Sequence, residues 1–164
     1  MFPVLPESVE VLAQTAWGEA RGCGYAGMSH VVMVIMNRVD HPSWMGHGVV
    51  GVCKAPWQFS CWNEGDPNRA KMLSVTATDQ AFAWAIDLAE RAIAGELHDV
   101  TVGADSYYAR SMVRSPPWAE TALLTFEDAW HRFYRTTGAG HVPVVSVHAA
   151  AVMTPDQLDE IYNR

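Results

Sequence analysis

Basic residues are scarce in this sequence, which has 11 lysines and arginines against 18 aspartates and glutamates and a formal net charge of −7. Nucleic acid binding needs a basic surface that faces the phosphates, and no cluster of lysine or arginine is present. The chain also lacks any run of about 18 apolar residues, which a membrane-spanning helix needs. The sequence therefore excludes a nucleic acid partner and predicts no membrane span.

The features of a signal peptide are missing as well. The first residues, MFPVLPESVEVL, have no basic start, no long apolar core and no small-residue cleavage site. We therefore expect a soluble protein that is made in the cytoplasm without a signal peptide.

Cysteine is rare, and metal-ligand patterns are missing. Cys23, Cys53 and Cys61 are an odd number, which argues against a secreted disulfide framework, although a disulfide between Cys53 and Cys61 stays open. The sequence has no HExxH motif, and His41 and His47 lie in a loop at a spacing that is not typical of metal ligands. We therefore expect no metal and no other cofactor.

Apolar and aromatic side chains, in contrast, are abundant. Hydrophobic residues make up 49% of the 164 residues, and 7 are tryptophan. This length and composition predict one compact folded domain. Tryptophans in such number can fill a core, or they can line a groove that stacks against flat sugar rings.

Apolar residues at helical spacing predict two helices near the start of the chain. Ser8 can cap the first helix, which ends near Gly22, a residue type that often follows a helix. The second covers residues 26–39 and is apolar enough to be the buried central helix. Residues 41–77 follow, with glycines and prolines that predict an irregular region with one short turn near residues 49–54.

The clearest helix is predicted at residues 78–94, with one apolar stripe of Phe82, Ile86, Ala89 and Ile93. Two β-like pieces, residues 100–103 and 106–109, then predict a small sheet or hairpin. Residues 126–135 fit either a helix or a strand. The tail is an apolar run followed by a short helix that begins with a capping box at Thr154.

The motif WGEARG at residues 17–22 places Glu19 in the last turn of the first helix. The negative end of the helix dipole and the apolar ring of Trp17 both favour a protonated carboxyl there, as a general acid needs. A surface glutamate paired with Arg21 or Arg38 is the alternative that this local pattern leaves open.

Six motifs in order resemble the SleB-type cell wall hydrolases, a family that includes spore cortex-lytic enzymes and phage lysis proteins. They are WGEARG (17–22), MNRV (36–39), WQFSCWN (57–63), ADSYYA (104–109), PPW (116–118) and HRFYR (131–135). The sequence departs from the family at Trp17 and Gly18, where a small apolar pair is usual, and at Cys23, where the family often has an acidic residue.

The resemblance implies a mainly α (α+β) fold, similar to goose-type lysozymes and lytic transglycosylases, with a small β-hairpin or sheet. It also implies cleavage of peptidoglycan glycan strands between N-acetylmuramic acid and N-acetylglucosamine, with Glu19 as the catalytic acid. The candidate substrate-binding residues are Gln58, Phe59, Ser60, Trp62, Tyr107, Tyr108 and His131.

Structural roles stay open for several of these candidates. Phe59 and Trp62 can fill the core under their loop. If residues 106–109 form a strand, Tyr107 and Tyr108 point to opposite faces, so one is expected in the core. His131 can equally be a hydrogen-bonded structural residue. Asn37 and Arg38 are expected to support the Glu19 region rather than to take part in chemistry.

The sequence favours a mechanism with a single glutamate. Asp105, Glu64 and Asp66 are candidates for a second carboxylate, yet each has a turn-residue explanation. We therefore expect a lytic transglycosylase that leaves anhydro-muramic ends. A hydrolytic muramidase, a peptidoglycan amidase or peptidase, and a non-catalytic peptidoglycan-binding virion module are the alternatives.

The expected organisation is a catalytic domain over residues 1–135 and an extension over residues 136–164 that packs on the same domain. The expected setting is a phage or prophage lysis enzyme, either an endolysin or a virion-associated lysin, that acts as a monomer on peptidoglycan in the periplasm or cell wall. A separate holin or injection machinery would deliver it.

Overall fold

Helices occupy the first part of the chain and strands the second part in the computed structural model, which describes residues 4–136. Contacts within the chain divide it into two compact units, Met1–His98 and Asp99–Arg164. The predicted helical fold with a small sheet is confirmed. The apolar tail and short helix predicted after residue 138 lie outside the described residues, and the domain boundary at residue 135 stays a prediction.

Helices α1 (Glu7–Ala20) and α2 (Gly24–Asp40) confirm the first two predicted helices. The N-cap of α1 is Pro6, so the predicted cap at Ser8 is wrong. The helix ends because Ala20 leaves the helical backbone with φ −140°, and a 3-10 turn, Arg21–Cys23, leads to α2. Glu19 therefore lies in the last turn of α1, as predicted.

The core of the first unit forms where α1, α2 and α5 (Gln80–Ile93) pack against one another. Leu12, Val31 and Leu88 are fully buried in this core. The predicted helix at residues 78–94 is confirmed. Its predicted stripe is only partly right, because Ile93 is 40% exposed and the buried face consists of Phe82, Ala85, Leu88, Ala89 and Ala92.

Residues 41–77 contain more regular structure than predicted. Helix α3 (Gly48–Cys53) takes the place of the expected short turn, and α4 (Pro67–Ser74) was not predicted. Only Met72 of α4 is buried, so the sequence has no apolar periodicity that would predict this helix. The signal that could have found it is Asp66 before Pro67, since the Asp66 carboxylate accepts a hydrogen bond from the Asn68 amide at 2.8 Å.

The second unit contains a three-stranded antiparallel sheet in the order β1 (Ser106–Ala109), β3 (His131–Arg135), β2 (Leu123–Glu127). The strand prediction for residues 106–109 is confirmed, and residues 126–135 form the end of β2, a short turn and β3 rather than a helix. The strand prediction for residues 100–103 is wrong. Those residues turn around Asp99, whose carboxylate accepts hydrogen bonds from the amides of Thr101 and Gly103.

Candidate active site

Glu19 is half-buried at the end of α1 and contacts a segment that lies much further along the chain. The backbone N–H of Cys61, in the 3-10 turn Ser60–Trp62, donates a hydrogen bond to Glu19 Oε1 at 3.3 Å. This contact holds the carboxylate beside residues 58–62, which we call the 58–62 loop. Four of the predicted substrate-binding residues belong to that loop.

Gly18 explains how the 58–62 loop comes so close to the helix. A Cβ atom at this position would lie 2.8 Å from Cys61 Cβ, 3.0 Å from Cys61 Sγ and 3.2 Å from Met72 Sδ. No side chain larger than hydrogen therefore fits without moving the turn. A glycine inside a helical pattern is itself a sign of a close approach, and this signal could have revealed the role of Gly18.

Trp17 and Arg21 fix the surroundings of the last helical turn. Trp17 is 6% exposed, and its indole N–H donates to Asp79 Oδ1 at 3.1 Å. The Arg21 guanidinium lies 4.4 Å from the centre of the Trp17 ring and donates to the carbonyl of Gly18 and to Asn68 Oδ1. These contacts tie α1 to α4 and to the start of α5.

Arg38 supports the 58–62 loop from α2, the role that the sequence suggested for it. Its guanidinium donates to Gln58 Oε1 at 3.3 Å and lies 5.1 Å from the centre of the Phe59 ring. Phe59 is 2% exposed, so its burial favours the core role that the sequence left open. Gln58 is half-buried and keeps part of its surface toward solvent.

Ser60 and Trp62, like Gln58, keep surface toward solvent. Ser60 is exposed, and Trp62 is half-buried with its indole N–H donating to Thr15 Oγ1 at 3.0 Å. The Lys54 ammonium lies 4.8 Å from the centre of the Trp62 ring. The hydrogen bond to α1 fixes the ring, so Trp62 can offer an oriented aromatic surface.

The sheet of the second unit decides which of the two adjacent tyrosines is buried. Tyr108 is 7% exposed, and its hydroxyl makes hydrogen bonds with Tyr134 and with the Arg132 guanidinium. Burial raises the pKa of Tyr134 to about 12. The hydrogen bond between the two tyrosine hydroxyls lowers the pKa of Tyr108. Tyr107, on the opposite face, is half-buried and is the one with surface available to a ligand.

His131 and Asp105 are both buried within the second unit. The His131 ring packs edge-on against Tyr107 at 5.0 Å between ring centres, and its backbone N–H donates to Asp128. The Asp105 carboxylate accepts two hydrogen bonds from Thr136, both at 2.9 Å. These contacts give each side chain a structural role, and their predicted functional roles stay predictions.

Burial favours the neutral form of the Cys53 and Cys61 thiols. Burial raises the pKa of Cys53 to about 11. Burial and the nearby Glu19 carboxylate raise the pKa of Cys61 still further. All three cysteines are free thiols, so the disulfide between Cys53 and Cys61 that the sequence left open is not formed. A thiolate nucleophile is therefore disfavoured at both buried positions.

Comparison with known proteins identifies the family. Residues 22–134, more than half of the chain, match the family model described as Cell Wall Hydrolase. The chain belongs to the cell wall hydrolase family. Its SleB-type resemblance is thereby confirmed, and so is the prediction of an enzyme that acts on the cell wall. Glu19 lies just before the matched range.

Two solved structures share the fold. One is the catalytic domain of the germination-specific lytic transglycosylase SleB from Bacillus anthracis, with 24% identity and a TM-score of 0.60 over 82% of this chain and 100% of that one. The other is the catalytic domain of the Bacillus cereus SleB protein, with 23% identity and a TM-score of 0.57 over 80% and 95%. No curated protein matches the sequence.

Two further observations concern residues 4–136. No helix in this range is long and apolar enough to cross a membrane. The same residues contain no group of three or more histidine, cysteine or acidic side chains that could hold a metal ion.

Proposed function

We propose that this cell wall hydrolase cleaves the bond between N-acetylmuramic acid and N-acetylglucosamine in peptidoglycan, with Glu19 as its single acid and base. The observation that carries the proposal is the Glu19 carboxylate at the end of α1, held by the Cys61 amide beside the 58–62 loop. Its fold neighbour from Bacillus anthracis is named a lytic transglycosylase, which supports the same reaction class here.

The proposed reaction is an intramolecular transfer. Glu19 protonates the glycosidic oxygen, and the bond from that oxygen to C1 of the muramic acid breaks. The C6 hydroxyl of the same sugar then bonds to C1, and its proton passes to the Glu19 carboxylate. Water is not consumed, Glu19 is returned to its starting state, and the product has an anhydro-muramic end.

Two of the three other candidate carboxylates have structural contacts, which supports the use of one glutamate. Asp66 caps α4 through the Asn68 amide, and Asp105 accepts hydrogen bonds from Thr136. Glu64 is exposed in the segment before α4. A mechanism that needs a second carboxylate has less support from these contacts than one that uses the substrate's own hydroxyl.

Mass spectrometry of the muropeptides released from purified peptidoglycan tests the reaction type. We expect anhydro ends, which are lighter by one water than the reducing ends that a muramidase would leave. Digestion by a known muramidase, run in parallel, provides the reference for reducing ends. Reducing ends alone would replace the transglycosylase with the hydrolytic alternative, and free peptide stems would favour an amidase or peptidase.

Chelation and thiol blocking test the peptidase alternative directly. We expect the rate of glycan cleavage to be unchanged by EDTA and by iodoacetamide at pH 7. Residues 4–136 contain no group of side chains that could hold a metal ion, so EDTA should have nothing to remove there. The raised pKa values of Cys53 and Cys61 keep both thiols neutral at pH 7, which slows their reaction with iodoacetamide. A turbidity assay on permeabilised bacteria measures the rate. Activity lost with EDTA and restored by zinc would instead point to metal-dependent cleavage of the peptide stems.

The biological setting is also part of the proposal. We place the enzyme in phage or prophage lysis, acting as a monomer after delivery by a holin or by injection machinery. This setting rests on the sequence alone and stays a prediction.

A further inference from the structure

Trp57 has a backbone conformation that tryptophan rarely adopts. Its φ is +65°, in the left-handed region, and the residue is 85% exposed. The Gln58 amide donates to the carbonyl of Ala55 at 3.1 Å, which closes a turn with Pro56 and Trp57 at its two central positions. Proline followed by a positive φ is typical of a type II turn, in which the second central position strongly favours glycine.

Val102 is the second residue within 4–136 that has a positive φ and is not glycine, and it shows how such a conformation can be fixed by local contacts. The Asp99 carboxylate bonds the amides on either side of it, those of Thr101 and Gly103. The Trp57 ring contributes little burial to offset its own strain. A strained residue that gains little from packing is a candidate for a functional role.

The turn that carries Trp57 leads directly into the 58–62 loop. The next two residues, Gln58 and Phe59, are held by Arg38, and the same loop then supplies the Cys61 amide to Glu19. The ring thus projects from a segment whose position relative to Glu19 is fixed by hydrogen bonds. The fixed φ of Pro56 further limits how far the turn can change shape.

We propose that Trp57 is a stacking platform for one sugar ring of the glycan strand, beyond the loop contacts predicted from the sequence. The inference rests on the proposed function, because it takes peptidoglycan as the substrate. An exposed indole in a rigid turn offers a large flat surface to the apolar face of a sugar and loses little conformational freedom on binding. Glycine would suit the turn better but would offer no such surface.

Replacing Trp57 tests this role because stability and binding should respond differently. Trp57→Gly removes the ring and relieves the strain, so we expect the melting temperature to stay the same or rise by up to about 4 °C. Affinity for purified peptidoglycan sacculi should fall about tenfold. Trp57→Ala should lose the same affinity without the gain in melting temperature, because alanine retains the steric strain at positive φ.

Binding is measured by co-sedimentation with sacculi in a Glu19→Gln background, so that the sacculi stay intact. Trp44→Ala is the matched control, since Trp44 is 76% exposed and does not share the positive φ. We expect this control to bind like its parent. In the active enzyme, Trp57→Gly should raise KM and leave kcat unchanged.

Either of two results for Trp57→Gly would overturn the inference, and both are distinguishable from failure of the proposed function. If Trp57→Gly binds sacculi as well as its parent, the ring has no stacking role. If it lowers the melting temperature by about 4 °C or more, the ring instead stabilises the fold. If the unmodified chain neither binds nor cleaves peptidoglycan, the proposed function fails and the inference fails with it.

Discussion

Glu19→Gln is expected to lower the rate of glycan-strand cleavage by about a hundredfold to ten-thousandfold. Glutamine has nearly the same size as glutamate, and its carbonyl oxygen can still accept the hydrogen bond from the Cys61 amide. It has no acidic proton to give to the glycosidic oxygen. The change therefore removes proton transfer and keeps the local contacts of the site.

The rate of muropeptide release, together with a melting curve and sacculus binding, measures the effect. Glu10→Gln is a matched control, because Glu10 is an exposed glutamate on the same helix. We expect the control to keep its activity, and we expect Glu64→Gln, Asp66→Asn and Asp105→Asn to lose far less than Glu19→Gln. A folded Glu19→Gln variant with near-normal activity would disprove the assignment.

Gly18→Ala is expected to cause the second largest loss, about tenfold to a hundredfold in kcat. The added Cβ would lie 2.8 Å from Cys61 Cβ, so the 3-10 turn Ser60–Trp62 must move away from α1. The hydrogen bond from the Cys61 amide to Glu19 is already 3.3 Å long and would be weakened or broken. Overpacking should also destabilise the fold by about 1–3 kcal/mol.

A matched control and a compensating change separate positioning from general destabilisation. Gly22→Ala is the control in the same motif, since its Cβ would meet nothing within 4 Å, and it should keep its kcat. Adding Cys61→Gly to Gly18→Ala removes both of the Cys61 atoms that crowd the new methyl group. We expect kcat to recover toward that of Cys61→Gly alone, with KM nearly constant throughout. Full activity in Gly18→Ala would show that the close approach does not position Glu19.

Local sequence patterns determined the helices and the place of the candidate acid. Helices α1, α2 and α5 were predictable because each repeats apolar residues at helical spacing over more than three turns. Glu19 falls in the last turn of α1 because the pattern stops near Gly22. Helix α4 and the turn at residues 100–103 were mispredicted because their determinants are the single carboxylates of Asp66 and Asp99, which periodicity does not reveal.

The order and spacing of the six motifs also indicated the family, and the match over residues 22–134 confirmed it. These motifs identify a kind of protein without placing its side chains. The sequence could thus name Gln58, Phe59 and Trp62 together as candidates. It could not tell that Phe59 is buried while Trp62 keeps an oriented, partly exposed ring.

Only the tertiary structure decided how Glu19 is held and why its neighbour is glycine. The Cys61 amide comes from 42 residues further along the chain, and its contact with Glu19 depends on how α1, α4 and the 58–62 loop pack together. The sheet likewise decided that Tyr108 is buried and Tyr107 half-buried. Periodicity specifies which residues share a face of one element, whereas burial and contact depend on which other element covers that face.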